Sequence, residues 1–213
     1  MKLEYNRITL LLAEKNIKLI EENNKIYIDP RNTTNIPLED HEGILLIEEK
    51  WYYCKFIREK REPINEIMKR FSSKEEALNY LFLKQLNKYF IFENILPTRN
   101  FNIKDWDIET VIDEMNKLNI PLEYLSYKEN IHGNSILFEL KDSKWHSGYI
   151  DNKKEIIYEN KKGIEDSNWF LSLFANKVYV LYLFDMYIQD LNSRGFNMKE
   201  ITNQDKLVIL GYE

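Results

Sequence analysis

Apolar residues recur along this chain with two different periods, and the alternation between them sets out its elements. Ile8, Leu11 and Leu12 share one side of a short helix over residues 5–16. Short extended pieces follow at Lys18–Ile20 and Lys25–Ile28, and Asp29-Pro30 opens a polar loop through Asp40. Gly43–Glu48 and Trp51–Arg58 read as two strands of a hairpin turning at Glu49-Lys50, and Ile64–Phe71 reads as a third strand. Ser72 and Ser73 then offer N-caps, with Glu75 and Glu76 in the first turn, where the positive end of the helix dipole favours them. Leu78, Leu81, Phe82, Leu86, Tyr89 and Phe90 follow at helical spacing, which predicts a helix running to Phe92. Leu96–Asn100 reads as a linker.

The same order then returns. Ile108, Val111, Ile112, Met115 and Leu118 form a helical stripe, with Asp105 or Asp107 as its cap. Pro121–Tyr127, Ser135–Leu140, Lys144–Asp151 and Glu155–Glu159 read as strands. Ser167–Ser193 reads as a long final helix, apolar on most sides and so central to a core, with Gly195 as its stop. Ile201–Leu210 is expected as a last strand or a packed tail. Asn16-Ile17-Lys18-Leu19 parallels Asn119-Ile120-Pro121-Leu122, Lys50-Trp51 parallels Lys144-Trp145, and Tyr80-Leu81-Phe82 parallels Tyr182-Leu183-Phe184. The expected fold is therefore α+β, as two similar tandem units over residues 1–95 and 101–213, each helix–antiparallel strands–helix.

Composition agrees with a folded chain. The 213 residues are 44% hydrophobic and 14% aromatic, enough to bury a core and unlike a disordered segment. Charge is uneven: residues 1–95 carry 16 basic and 16 acidic side chains, while residues 96–213 carry 14 and 19. An acidic second half disfavours a phosphate backbone and suits a basic partner. The mixed group Lys55, Arg58, Lys60, Arg61, Lys69 and Arg70 is diluted by Glu59, Glu62 and Glu66, so no nucleic-acid partner is expected. The apolar stretch Val178–Ile188 is interrupted by Asp185 and reads as too short and too polar to span a bilayer. With a single cysteine and no apolar run in Met1–Arg7, the expectation is a cytoplasmic protein.

The sequence carries no catalytic motif, cofactor cradle or metal-ligand spacing. His41, His132 and His146 form no HxxxH, HExxH or HxH pattern, and Cys54 has no CxxC partner. Cys54 lies inside a strand and reads as a small buried side chain. Trp51 and Trp145 open comparable strands and read as core or hairpin anchors. The group that stands out is acidic. Asp105, Asp107, Glu109, Asp113 and Glu114 crowd the second short helix, and Glu109 and Asp113, four apart, share a face. Such a patch suits docking of a cationic protein, because charge complementarity speeds association and sets specificity.

The segment Gly43–Arg61, followed by Phe71-Ser72-Ser73-Lys74-Glu75-Glu76-Ala77-Leu78-Asn79-Tyr80-Leu81, resembles small bacterial immunity proteins of polymorphic toxin systems. In these a strand of the form W-x-V/Y, then E-R or R-E, precedes F-x-S-E/K-E-E-A. The likeness covers about 40 residues of the first half, and the second half has Ile164-Glu165-Asp166-Ser167-Asn168-Trp169 at the corresponding place. The resemblance implies a cytoplasmic inhibitor that binds a cognate toxin, often a basic nuclease domain, and needs no catalysis or cofactor. Two other classes share the composition: a phage or mobile-element protein that inhibits or triggers a host defence system, and an enzyme whose site is assembled from distant residues.

Overall fold

A computed structural model describes residues 3–29, 40–57, 64–98, 107–165, 167–198 and 201–212. The loop expected after Pro30, the residues Arg58, Lys60, Arg61 and Pro63, and Asp105 lie outside the described residues. The chain forms two compact units, Met1–Tyr89 and Phe90–Glu213.

The first unit opens with α1 (Tyr5–Ala13), which buries Ile8, Leu11 and Leu12. Five antiparallel strands follow in sequence order: β1 (Leu19–Glu22), β2 (Lys25–Ile28), β3 (Asp40–Ile47), β4 (Lys50–Ile57) and β5 (Ile64–Phe71). The β3–β4 turn is Glu48-Glu49, closed by Ile47 against Lys50, one residue earlier than the sequence suggests. Both turn residues have positive φ, 46° and 63°, as a two-residue hairpin matched to strand twist requires. Neither is Gly or Asn, the residues that normally mark such a turn.

Helix α2 (Lys74–Tyr89) completes this unit. The Ser73 hydroxyl accepts from the Glu76 amide at 3.1 Å, and the Glu76 carboxylate accepts from the Ser72 amide and hydroxyl at 3.2 and 2.7 Å. The Phe-Ser-Ser-Lys-Glu-Glu-Ala run thus forms a reciprocal cap that satisfies one of the free amides at the start of the helix and the amide just ahead of it. The helix buries Ala77, Leu78, Tyr80, Leu81, Phe82, Leu83 and Leu86. The buried Asn79 ties the chain start down: its Oδ1 accepts from the Leu3 amide at 3.1 Å, and its Nδ2 donates to Glu75 O at 2.8 Å. On the opposite face of the sheet Leu45, Cys54 and Phe56 form a second apolar cluster, flanked by Tyr27, Ile47 and Tyr52.

The second unit begins with a π-helical stretch, Phe90–Ile95, and a short 3-10 turn, Leu96–Thr98. The helix expected to run to Phe92 is α-helical only to Tyr89, and residues 90–95 are π-helical. Helix α3 (Ile108–Lys117) follows, then a 3-10 turn (Leu122–Tyr124) and β6 (Leu125–Tyr127). Strands β7 (Ser135–Lys141), β8 (Lys144–Ile150) and β9 (Ile156–Glu159) complete a four-stranded sheet in the order β6-β7-β8-β9. Helix α4 (Ser167–Ser193) has the bounds expected from the sequence. Residues 201–210, expected as a strand or tail, instead contain α5 (Asn203–Leu210). Its start is a capping box between Thr202 and Asp205, and its end is Gly211 in the left-handed region at φ 66°.

The architecture is α+β. The two units share one hairpin in detail: β7–β8 turns on Asp142-Ser143, again with positive φ at both positions, and Leu140 faces Trp145 as Leu46 faces Trp51. The likeness does not extend across the sheets. The first has five antiparallel strands, whereas in the second β6 runs parallel to β7, and the expected strand Pro121–Tyr127 is half 3-10 turn.

Helix α4 is the core element of the second unit, with Leu171, Phe174, Val178, Leu181, Phe184 and Leu191 buried. Its span Leu171–Ser193, mean hydropathy 1.2, is long and apolar enough by length and composition to cross a bilayer, with 39% of that window buried inside the protein. The apolar span is thus longer than the stretch Val178–Ile188 expected from the sequence.

Candidate functional site

Helix α3 carries the acidic group singled out from the sequence, and the structure divides its members. Val111 and Met115 are buried one turn apart, which turns the opposite face outward. Asp107 is the N-cap: its Oδ1 accepts from the Thr110 amide at 2.7 Å and from the Thr110 hydroxyl at 2.6 Å. These hydrogen bonds to the charged form hold the Asp107 carboxyl below its ordinary range. Glu114 reaches along the helix to Lys117 at 2.7 Å and is mostly covered. That leaves Glu109 and Asp113, both exposed, one turn apart. Asp105 lies outside the described residues. Of the five, then, two serve the helix itself and two face solvent together.

Beneath α3 lies a cavity of about 40 Å³ lined mainly by Ile95, Val111, Met115, Ile120, Ala175 and Tyr179. Pockets that take organic ligands run to roughly 300–1,000 Å³, so this one suits a water molecule or a small gas atom.

The densest polar constellation, which the sequence did not signal, is inside the second unit. Asp185, on α4, accepts through Oδ2 from the Tyr124 hydroxyl at 3.2 Å and from Asn134 Nδ2. Its Oδ1 lies 3.5 Å from Lys206 Nζ, on α5. Lys206 also donates to Asn134 Oδ1, which accepts a further bond from the Tyr149 hydroxyl at 3.2 Å. The Asn134 amide donates to Asp151 O at 3.0 Å. Asp151 in turn receives the Lys153 and Glu155 amides at 2.8 and 3.0 Å, and Asn203 Nδ2 at 3.3 Å. Five segments distant in sequence meet here. Each principal donor faces an acceptor within the group, so the arrangement spends its hydrogen-bonding capacity on joining α4, α5 and the sheet.

Burial acts on the ammonium and the phenols of this unit. It pushes the Lys206 ammonium below the ordinary 10.5, and the Asp185 charge pushes back only in part. It lifts the phenols of Tyr124 and Tyr149, helped by the negative charge of Asp185, and that of Tyr212, whose hydroxyl donates to Ser147 Oγ at 3.2 Å. A phenol whose folded pKa is raised gives stability that is complete below its unfolded value of 10.0 and is lost as pH climbs beyond it. Lys206 works in the opposite sense, but only below its unfolded value of 10.5. The expected result is unfolding above about pH 10, with tyrosinate absorbance and loss of circular dichroism rising together. Phenol ionisation at that pH with circular dichroism unchanged would contradict it.

In the first unit Glu42 makes a smaller network, 2.7 Å from Lys88 and 2.8 Å from Gln85 Nε2. Burial alone would raise its carboxyl, but the Lys88 charge and the bonds from Lys88, Tyr53 and Gln85 outweigh it and lower it. The histidines stay apart. His41 packs against the rings of Tyr27 and Phe56, 5.1 Å from each, and His146 Nδ1 lies 2.8 Å from Asn160 O. The His132 carbonyl accepts from the Ser135 hydroxyl at 2.8 Å. Cys54 is fully buried, and burial pushes its thiol up to about 11. Among the described residues no group of three or more His, Cys, Asp and Glu is placed to hold a metal ion.

No protein-family model, curated protein or solved structure matches this chain.

Proposed function

We propose that this chain is a non-enzymatic protein-binding inhibitor, an immunity protein that neutralises a cognate bacterial toxin in the cytoplasm. The observation that carries the reading is the outward face of α3, where Glu109 and Asp113 stand exposed one turn apart while Asp107 and Glu114 are occupied by Thr110 and Lys117. Two carboxylates fixed on a rigid helix steer a cationic partner and set its register. The resemblance of Gly43–Arg61 and Phe71–Leu81 to immunity proteins points the same way. Ser73 and Glu76 of that motif are spent on capping α2, which leaves the partner to dock elsewhere.

The test is a tagged pull-down from the native host with mass spectrometry, repeated with Glu109→Lys/Asp113→Lys. The expected result is one stoichiometric partner carrying a basic, toxin-like domain, bound at least tenfold more weakly by the double variant, on the order of 1.4 kcal/mol. A defence-system protein in its place would move the reading to a phage or mobile-element inhibitor. A toxin bound equally well by the variant would remove the α3 face from the account.

A further inference from the structure

Among the described residues the two sheets present four edge strands, and one is unlike the rest. β1, β6 and β9 are four, three and four residues long, whereas β5 has eight. Short edges are a common protection against strand addition, and a long one is a template for it. On β5 two adjacent large apolar side chains are open to solvent, Ile67 at 52% and Met68 at 55%. Adjacent residues of a regular strand point to opposite faces. Here the register shifts: Lys69 pairs with Tyr53 and Ile67 pairs with Cys54, so Met68 is the extra residue of a bulge. The two residues opposite Cys54 then lie on one face, the face away from α2. Lys69 and Phe71 lie on the other, with Lys69 Nζ 4.6 Å from the Tyr80 ring centre and Phe71 at 5.0 Å from it.

We infer that two copies of this chain associate through antiparallel pairing of β5 with β5, about a two-fold axis passing between Ile67 and Met68. In that register Ile67 of one copy faces Met68 of the other, and Glu66 faces Lys69, each pair occurring twice. The bulge is what permits it. Paired residues must share a face, so a two-fold perpendicular to a regular sheet cannot pass between neighbours of opposite facing. With Met68 inserted, Ile67 and Met68 share one face, and Glu66 and Lys69, three apart in sequence, share the other. Charged edges and bulges ordinarily repel strand addition. In this register the charges attract. The closed two-fold also uses up both edges, so association stops at the dimer. One strand pair covers less than the roughly 1,200 Å² of a standard stable interface, so the dimer is reversible and depends on concentration.

This inference stands apart from the toxin-binding reading. It concerns the first unit and is read by self-association alone. The experiment is sedimentation equilibrium of the full chain from about 1 to 200 µM, a range suited to a weak interface. The expected result is a monomer–dimer equilibrium. Glu66→Lys, at an exposed position, sets like charges across the axis twice and should weaken it roughly tenfold. Adding Lys69→Glu to it should restore dimerisation, with circular dichroism confirming that each variant is folded. A monomer over the whole range overturns the inference, as does a dimer indifferent to Glu66→Lys. Should the variants fail to fold, hydrogen exchange of the unaltered protein decides. Amides of Glu66–Arg70 should slow as concentration rises, and exchange unchanged by concentration overturns the proposal.

Discussion

Asp185→Ala is expected to lower the unfolding free energy by about 3–5 kcal/mol, the range seen when one member of a buried ion pair is removed. The side chains of Asp185 and Lys206 are 19% and 11% exposed, so little water is available to either. Without Asp185, the Lys206 ammonium keeps its bond to Asn134 and the Tyr149 ring 6.0 Å away but no counter-charge, while the Tyr124 hydroxyl and Asn134 Nδ2 lose their acceptor. The loss is then one of uncompensated desolvation rather than of attraction. Two consequences separate this from a simple packing defect. Asp185→Ala/Lys206→Met should recover much of the loss, because an apolar pair of similar volume needs no charge compensation. The single variant's deficit should also shrink as pH rises toward 10.5. Lys206 already has a lowered folded pKa, and removing its partner lowers it further. The unfolded chain then binds the extra proton in that window, so stability rises with pH. Urea unfolding of the three proteins at several pH values measures both. A single-variant loss below about 1 kcal/mol would mean that water reaches the pair.

Little of that network was legible in the sequence, for a physical reason. Asp185 showed itself only as a break in an apolar run, and Lys206 as one polar residue ahead of Leu207-Val208-Ile209-Leu210. Periodicity reports which face a residue takes, not what it meets across 72 residues of chain, the separation of Asn134 and Lys206. By contrast, the bounds of α4 and of β5 could be read locally, α4 from a long apolar stretch stopped at Gly195 and β5 from a run that ends at Phe71 ahead of the Ser72-Ser73 caps. Helix α5 was missed although its signals were present: Thr202 and Asp205 in capping-box spacing, and Gly211 at the end. A four-residue apolar run suits strand and buried helix equally, and the caps were the deciding feature. The β3–β4 turn was misplaced by one residue because Glu48 and Glu49 carry none of the usual turn chemistry. The parallel pairing of β6 depends on where the chain re-enters the sheet, which no local pattern encodes. Of the acidic group, i,i+4 spacing correctly put Glu109 and Asp113 on one face. The capping role of Asp107 was likewise readable, whereas the turn of Glu114 toward Lys117 was not.

In the first unit the largest single effect is expected from Phe82→Ala, a loss of about 3–5 kcal/mol. Phe82 has no exposed surface, and it sits mid-helix among neighbours that are buried almost all round: Leu78, Leu81, Leu83 and Leu86. A helix covered on most of its circumference must be filled against by more than one layer. Here α1 packs on one side, and β3, β4 and β5 on another. Both layers are restrained, the sheet by its own ladders and the residues leading into α1 by the bond of the Leu3 amide to Asn79 on α2. Neither can move in to fill the space that a missing ring leaves, and an uncollapsed cavity puts the cost toward the upper end of the range. Phe82→Leu, which leaves a much smaller void, should lose about half as much or less. Leu10→Ala serves as the comparison, because Leu10 on α1 is 53% exposed and its truncation should change stability by no more than about 0.5 kcal/mol. Urea unfolding of the three variants gives the ordering directly. If Phe82→Ala cost no more than Leu10→Ala, α2 could not be the helix on which this unit's layers close.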